Sequence, residues 1–156
     1  MKHGTNAKRF TMALLTAVAL WVAPASKATD KGCNAASLNG GFADKDTGFI
    51  VPAANAAPLP FAGINAITFD GNGNITGTGF GNVGGSGAPQ TETGTYTVNP
   101  DCTGTYTVTI NPGAITVHAY FVPDDSLNEL QIIITDPGNI ITCVARRQFP
   151  VGDWRN

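Results

Sequence analysis

The chain has 156 residues, of which 42% are hydrophobic and 13% charged, and its formal net charge is −2. That length fits one domain with its own core, and nine Lys and Arg scattered among eleven acids exclude a basic nucleic-acid surface, because phosphate binding needs clustered cations. Gly and Pro account for 29 residues, a share that suits turn-rich β structure and falls short of low complexity.

The first ten residues carry Lys2, Lys8 and Arg9 without an acid, and Met12 to Ala25 reads MALLTAVALWVAPA, apolar apart from Thr16. Small residues follow at the spacing signal peptidase reads, Ala23 with Ala25 or Ser26 with Ala28. Residues 1–28 are therefore expected to be a secretory signal peptide. The apolar run is shorter than the roughly 20 residues that span a bilayer, so no stable membrane insertion is expected after cleavage. Asp30 and Lys31 ahead of Cys33 break the small, apolar lipobox pattern, so no lipid anchor is expected either. Cleavage would remove Lys2, Lys8, Arg9 and Lys27 and no acid, leaving five bases against eleven acids, a net charge of −6. The expected product is an exported domain over 29–150 with a short tail at 151–156, in the periplasm or the medium.

From residue 41 onward, β-formers alternate between turn residues and no stretch shows a helical period. A strand near 41–50 leads into a Pro/Ala-rich connection through Pro60. Strands near 61–70 and 74–81 flank Asp70 to Gly73, which tolerates positive φ and marks a hairpin. The glycine-rich run from Gly79 to Gly87 reads as a flexible hairpin loop without the Lys and Ser/Thr of a P-loop. Strands at 91–99 and 104–110 form a second hairpin about Pro100 to Thr103, with Tyr96, Val98, Tyr106, Val108 and Ile110 on one set of faces and threonines on the other. Strands at 114–122, 129–135 and 140–147 complete the series, the last two joined through Asp136 to Asn139.

Eight strands with short connections predict an all-β, up-and-down antiparallel barrel, whose closure removes two exposed edges. A two-sheet sandwich is the alternative. In a meander, the turn after the fourth strand lies at the end where the first begins, so Cys33 and Cys102 are expected to be bridged, leaving Cys143 as a buried free thiol. A closed barrel would also bring strand eight beside strand one, so a Cys33–Cys143 bridge is the rival pairing.

TFDGNG (Thr68 to Gly73), TGTYTVNPDCTGT (Thr93 to Thr105), TDPG (Thr135 to Gly138) and ARRQ (Ala145 to Gln148) resemble segments of small exported bacterial proteins that are similar to the allene oxide cyclase barrel. The resemblance covers nearly all of the expected mature chain. It implies the eight-stranded architecture and maps no catalytic residue, since one barrel hosts many functions.

His118 is the lone histidine after residue 28, which excludes a His-rich metal centre; no metal and no cofactor are expected. It shares strand parity with Tyr120, and a solvent-facing histidine is the simpler reading. Should that face line a barrel cavity, His118, Tyr120, Glu129 and Gln131 would form an acid/base cluster. Asp70, Asn72 and Asn74 begin like a calcium loop, but Ile75 and Gly81 stand where Gly and Glu are required. Asp44 with Asp46, and Asp124 with Asp125, read as solvated turn acids, with a glycosidase-type carboxylate pair as the minor alternative. Arg146 and Arg147 point to opposite faces, one of them within reach of an acid such as Glu129.

The leading functional expectation is a non-enzymatic exported barrel that binds a small apolar ligand or an envelope partner, with Gly77, Gly79 and Ala119 leaving room for a pocket. A cyclase or isomerase with a polar cluster inside the barrel is the first alternative. An assembly subunit pairing through a strand edge is the second. The interior discriminates: filled argues structure, roomy and apolar argues binding, and roomy with a buried ionisable group argues catalysis.

Overall fold

The computed structural model describes residues 32–111 and 113–148; the expected signal segment and the 151–156 tail lie outside the described residues. Eight strands follow a short 3-10 turn at Ala35–Leu38: β1 (Gly40–Ile50), β2 (Leu59–Phe69), β3 (Asn74–Val83), β4 (Ser86–Val98), β5 (Gly104–Ile110), β6 (Ile115–Pro123), β7 (Glu129–Ile134) and β8 (Asn139–Arg147). Each pairs antiparallel with its sequence neighbours, and β1 pairs with β8 from Phe42↔Arg147 to Ile50↔Asn139, closing the barrel. The up-and-down barrel is the architecture, and the sandwich alternative falls.

Turn chemistry sets the registers. In the β2–β3 hairpin, Asp70 Oδ1 accepts from the backbone N–H of Asn72 (2.7 Å) and Asn74 (2.9 Å). Gly71 and Gly73 there take φ of 78° and 101°, which glycine adopts without a Cβ clash. The Gly79–Gly87 run is not a loop. Its residues extend β3 and β4 in register from Gly79↔Gln90 to Val83↔Ser86, with the reversal confined to Gly84 and Gly85.

One end of the barrel is packed and the other is open. At the packed end Phe42, Phe69, Phe121, Leu130 and Leu38 are fully buried, and Phe69 meets Phe42 and Tyr96 edge-on at 5.4 and 4.9 Å between ring centroids. Truncating one of these phenylalanines to alanine typically costs about 3–5 kcal/mol. The 3-10 turn lies across this end: Leu38 fills the plug, and Tyr96 Oη donates to the Ala35 carbonyl (2.8 Å) while accepting from Gly71 N–H (3.0 Å). A disulfide joins Cys33 to Cys102, with Cα atoms 4.9 Å apart, and ties the segment to the β4–β5 turn. The pairing follows the meander, and Cys143 is free and buried on β8. The Cys33–Cys143 rival is excluded.

Candidate functional site

Above the aromatic plug, strand alternation brings a polar layer into the barrel. On β1, Phe42, Asp44 and Asp46 share the inward face, so the two aspartates follow the plug residue into the interior. They are 6% and 7% exposed, and they meet Asn65 of β2 (3%) and Glu92 of β4 (9%). Reading Asp44 and Asp46 as solvated turn acids is therefore wrong: they stand mid-strand, opposite Ala145 and Cys143 of β8. Tyr106 from β5 and Cys143 complete the layer.

An amide relay orders part of it. Asn65 Nδ2 donates to Asp46 Oδ2 (2.8 Å), while Gln90 Nε2 donates to Asn65 Oδ1 (2.8 Å) and to Glu92 Oε1 (3.1 Å). Asp44 Oδ1, by contrast, is buried without a hydrogen-bond partner among the described residues. An orphaned buried acceptor costs about 1–3 kcal/mol, which is why such atoms are scarce in folded proteins.

Glycines make space for this layer. A Cβ on Gly63 would lie 2.7 Å from Asp46 Oδ2, one on Gly81 would lie 2.6 Å from Gln90 Oε1, and one on Gly79 would collide with Asn65 Oδ1 and the Ile64 carbonyl. Gly77 and Gly79 were expected to leave room for a pocket. Their space is instead taken by Ile67, Glu92 and Asn65, and Ala119 is packed in the core.

The polar layer is the floor of a cavity of about 440 Å³ that opens at the far end of the barrel. Its walls are mainly apolar, among them Ile50, Phe61, Val108, Val117, Ile134 and Ile141, with Ser86, Asn111 and Asn139 also on the lining. Among the described residues, no Lys, Arg or His lines it. The floor therefore carries three carboxyl groups without a countercharge.

Burial consequently dominates their ionisation. It pushes the Asp44 carboxyl up to about 8, reinforced by the charges of Asp46 and Glu92. Glu92 is pushed up to about 7, by burial first and then by Asp46. Burial and the neighbouring carboxylates also raise the Cys143 thiol and the Tyr106 hydroxyl. Asp44, Asp46 and Cys143 present ligand atoms within 4.8 Å of one another, an arrangement of the kind that holds a divalent cation, which burial opposes by keeping the protons on Asp44 and Cys143.

The solvent-facing reading of His118 holds, and the alternative acid/base cluster on β6 and β7 does not form. Ala119 and Phe121 take the inward face of β6, and Leu130 and Ile132 that of β7, so His118, Tyr120, Glu129 and Gln131 point to the outside. His118 Nδ1 meets Asp136 Oδ1 at 2.7 Å on the surface, Tyr120 is exposed, and Glu129 Oε2 accepts from Arg146 Nε at 2.6 Å. The glutamate–arginine pair was anticipated; the catalytic role has no cavity to act in. Asp124 keeps its place as a turn acid, its Oδ1 accepting from Asn128 and Glu129 N–H (2.7 and 3.0 Å). The parity shared by Phe42, Asp44 and Asp46 was the signal for the candidate site. Comparison of the chain with family models, with curated proteins and with solved structures finds no match in any of the three, so the functional reading rests on the cavity.

Proposed function

We propose that the protein is an exported binding barrel that takes a small, largely apolar molecule through its open end. The observation that carries this reading is the 440 Å³ cavity, apolar along its walls and shut at its inner end by packed side chains. Ligand sites are of this kind: concave, mostly apolar, with a few convergent polar groups that fix orientation. An eight-stranded barrel has an interior just wide enough to hold one such ligand. The Cys33–Cys102 bridge supports the exported setting, since disulfides persist in oxidising compartments.

Titration of the full chain with the neutral fluorescent probe Nile red tests the proposal. Saturable binding is expected, weakened at least tenfold in Val117→Trp, where the half-buried β6 wall would fill the cavity. Equal binding by both proteins contradicts it.

A second reading, proton-transfer catalysis of the cyclase or isomerase type, draws on one specific observation. Two adjacent buried carboxyls, Asp44 and Asp46, with Asp44 shifted to about 8, form a pair able to hold and release a proton near neutral pH.

A further inference from the structure

We infer that the ligand of the barrel carries an ammonium group, which seats on the floor between the carboxyls of Asp44, Asp46 and Glu92 while its apolar body fills the cavity above. This inference rests on the binding reading and names the chemical class of its ligand.

The floor is rich in acceptors, and among the described residues no cation lines it. Asp44, more than nine-tenths buried, borders the cavity, and its Oδ1 has no donor among the described residues. The amides that reach the floor are already committed, Asn65 to Asp46 and Gln90 to Asn65 and Glu92. A neutral hydroxyl brings one donor and no charge. A carboxylate head would add a fourth acid to an uncompensated group of three. An ammonium brings three donors and a positive charge that lets the buried carboxyls ionise beside it, and a charge-assisted hydrogen bond is about twice as strong as a neutral one.

The charge of the ammonium must leave water, which is favourable only when it is paired and hydrogen-bonded on arrival. The floor meets that condition with three carboxyls held in place by the barrel wall. A bare divalent ion on Asp44, Asp46 and Cys143 would satisfy the same acceptors but would leave the apolar volume above it without an occupant. The cavity favours a head with a body.

The experiment is displacement of Nile red from the full, oxidised chain by n-octylamine, n-octanol and n-octanoate, three probes with the same apolar tail. Octylamine is expected to displace the dye at about tenfold lower concentration than octanol or better, and octanoate to be the weakest. Asp44→Asn and Glu92→Gln, each close in shape to the native residue, should lower the octylamine preference over octanol several-fold, with a cooperative thermal melt of each variant showing that it is folded. Octanol matching octylamine in the native protein would overturn the inference and leave the binding reading standing. Failure of all three compounds to displace the dye would overturn both.

Discussion

Asp44 sets folding against its own ionisation. Its carboxyl is pushed up from an ordinary value near 3.8 to about 8, and that of Glu92 from 4.5 to about 7, so the folded state binds more protons than the unfolded chain between roughly pH 4 and pH 8. Stability must therefore fall as pH rises through that window. Asp70 and Asp124 act oppositely: hydrogen bonds led by Asn74 and Ser126 respectively hold their carboxyls below the ordinary range, so their turns lose support as pH falls through it. Thermal melts should give a lower Tm at pH 9 than at pH 5.5 by several degrees, about 2–8 °C for each kcal/mol in domains of this size. Asp44→Asn should flatten that slope, and a Tm that rises with pH would contradict the assignment. The sequence makes Asp44 and Asp46 easy to misplace, because Asp-Lys-Asp-Thr-Gly has the composition of a turn. Parity with Phe42 outweighs composition there, since a continuous strand has no freedom to turn two of its side chains outward.

The 3-10 turn and its disulfide form the element that shuts the packed end. The pairing of Cys33 with Cys102 was legible because an up-and-down order fixes which turns share an end of the barrel. The turn itself was not: four residues leave no periodic trace, and its helical geometry comes from Asn34 and Ser37 capping each other's backbone and from Tyr96 gripping Ala35. The extension of β3 and β4 through the glycine-rich run was hidden for a related reason. Glycine is a poor strand former, and here it is kept because Gly63, Gly79 and Gly81 stand where a Cβ would meet Asp46, Asn65 or Gln90. The bridge closes a loop over a sequence separation of 69, so Cys33→Ser with Cys102→Ser should lower the unfolding free energy by roughly 4 kcal/mol through loop entropy. Urea unfolding reads this directly. An unchanged midpoint would show that the plug holds the end shut without the bridge.

At the scale of the molecule, one barrel carries two interiors, an aromatic plug and an acid-floored cavity that forms the candidate site. Closure was legible from eight alternating strands with short connections. The division of the interior was not, because alternation states which side chains face inward and leaves open whether they meet across the barrel. Phe42 and Phe69 meet edge-on, with Phe121 buried in the same core; Val108, Val117 and Ile141 border open space. The most direct measurement is methyl NMR of the labelled protein titrated with n-octanol. Shifts should concentrate on Val108, Val117, Ile134 and Ile141, with Leu38 and Leu130 in the plug and Ile64 and Ile133 on the outer wall unmoved. Shifts confined to Ile64 and Ile133, or no saturable shift at the cavity methyls, would contradict a ligand site inside the barrel.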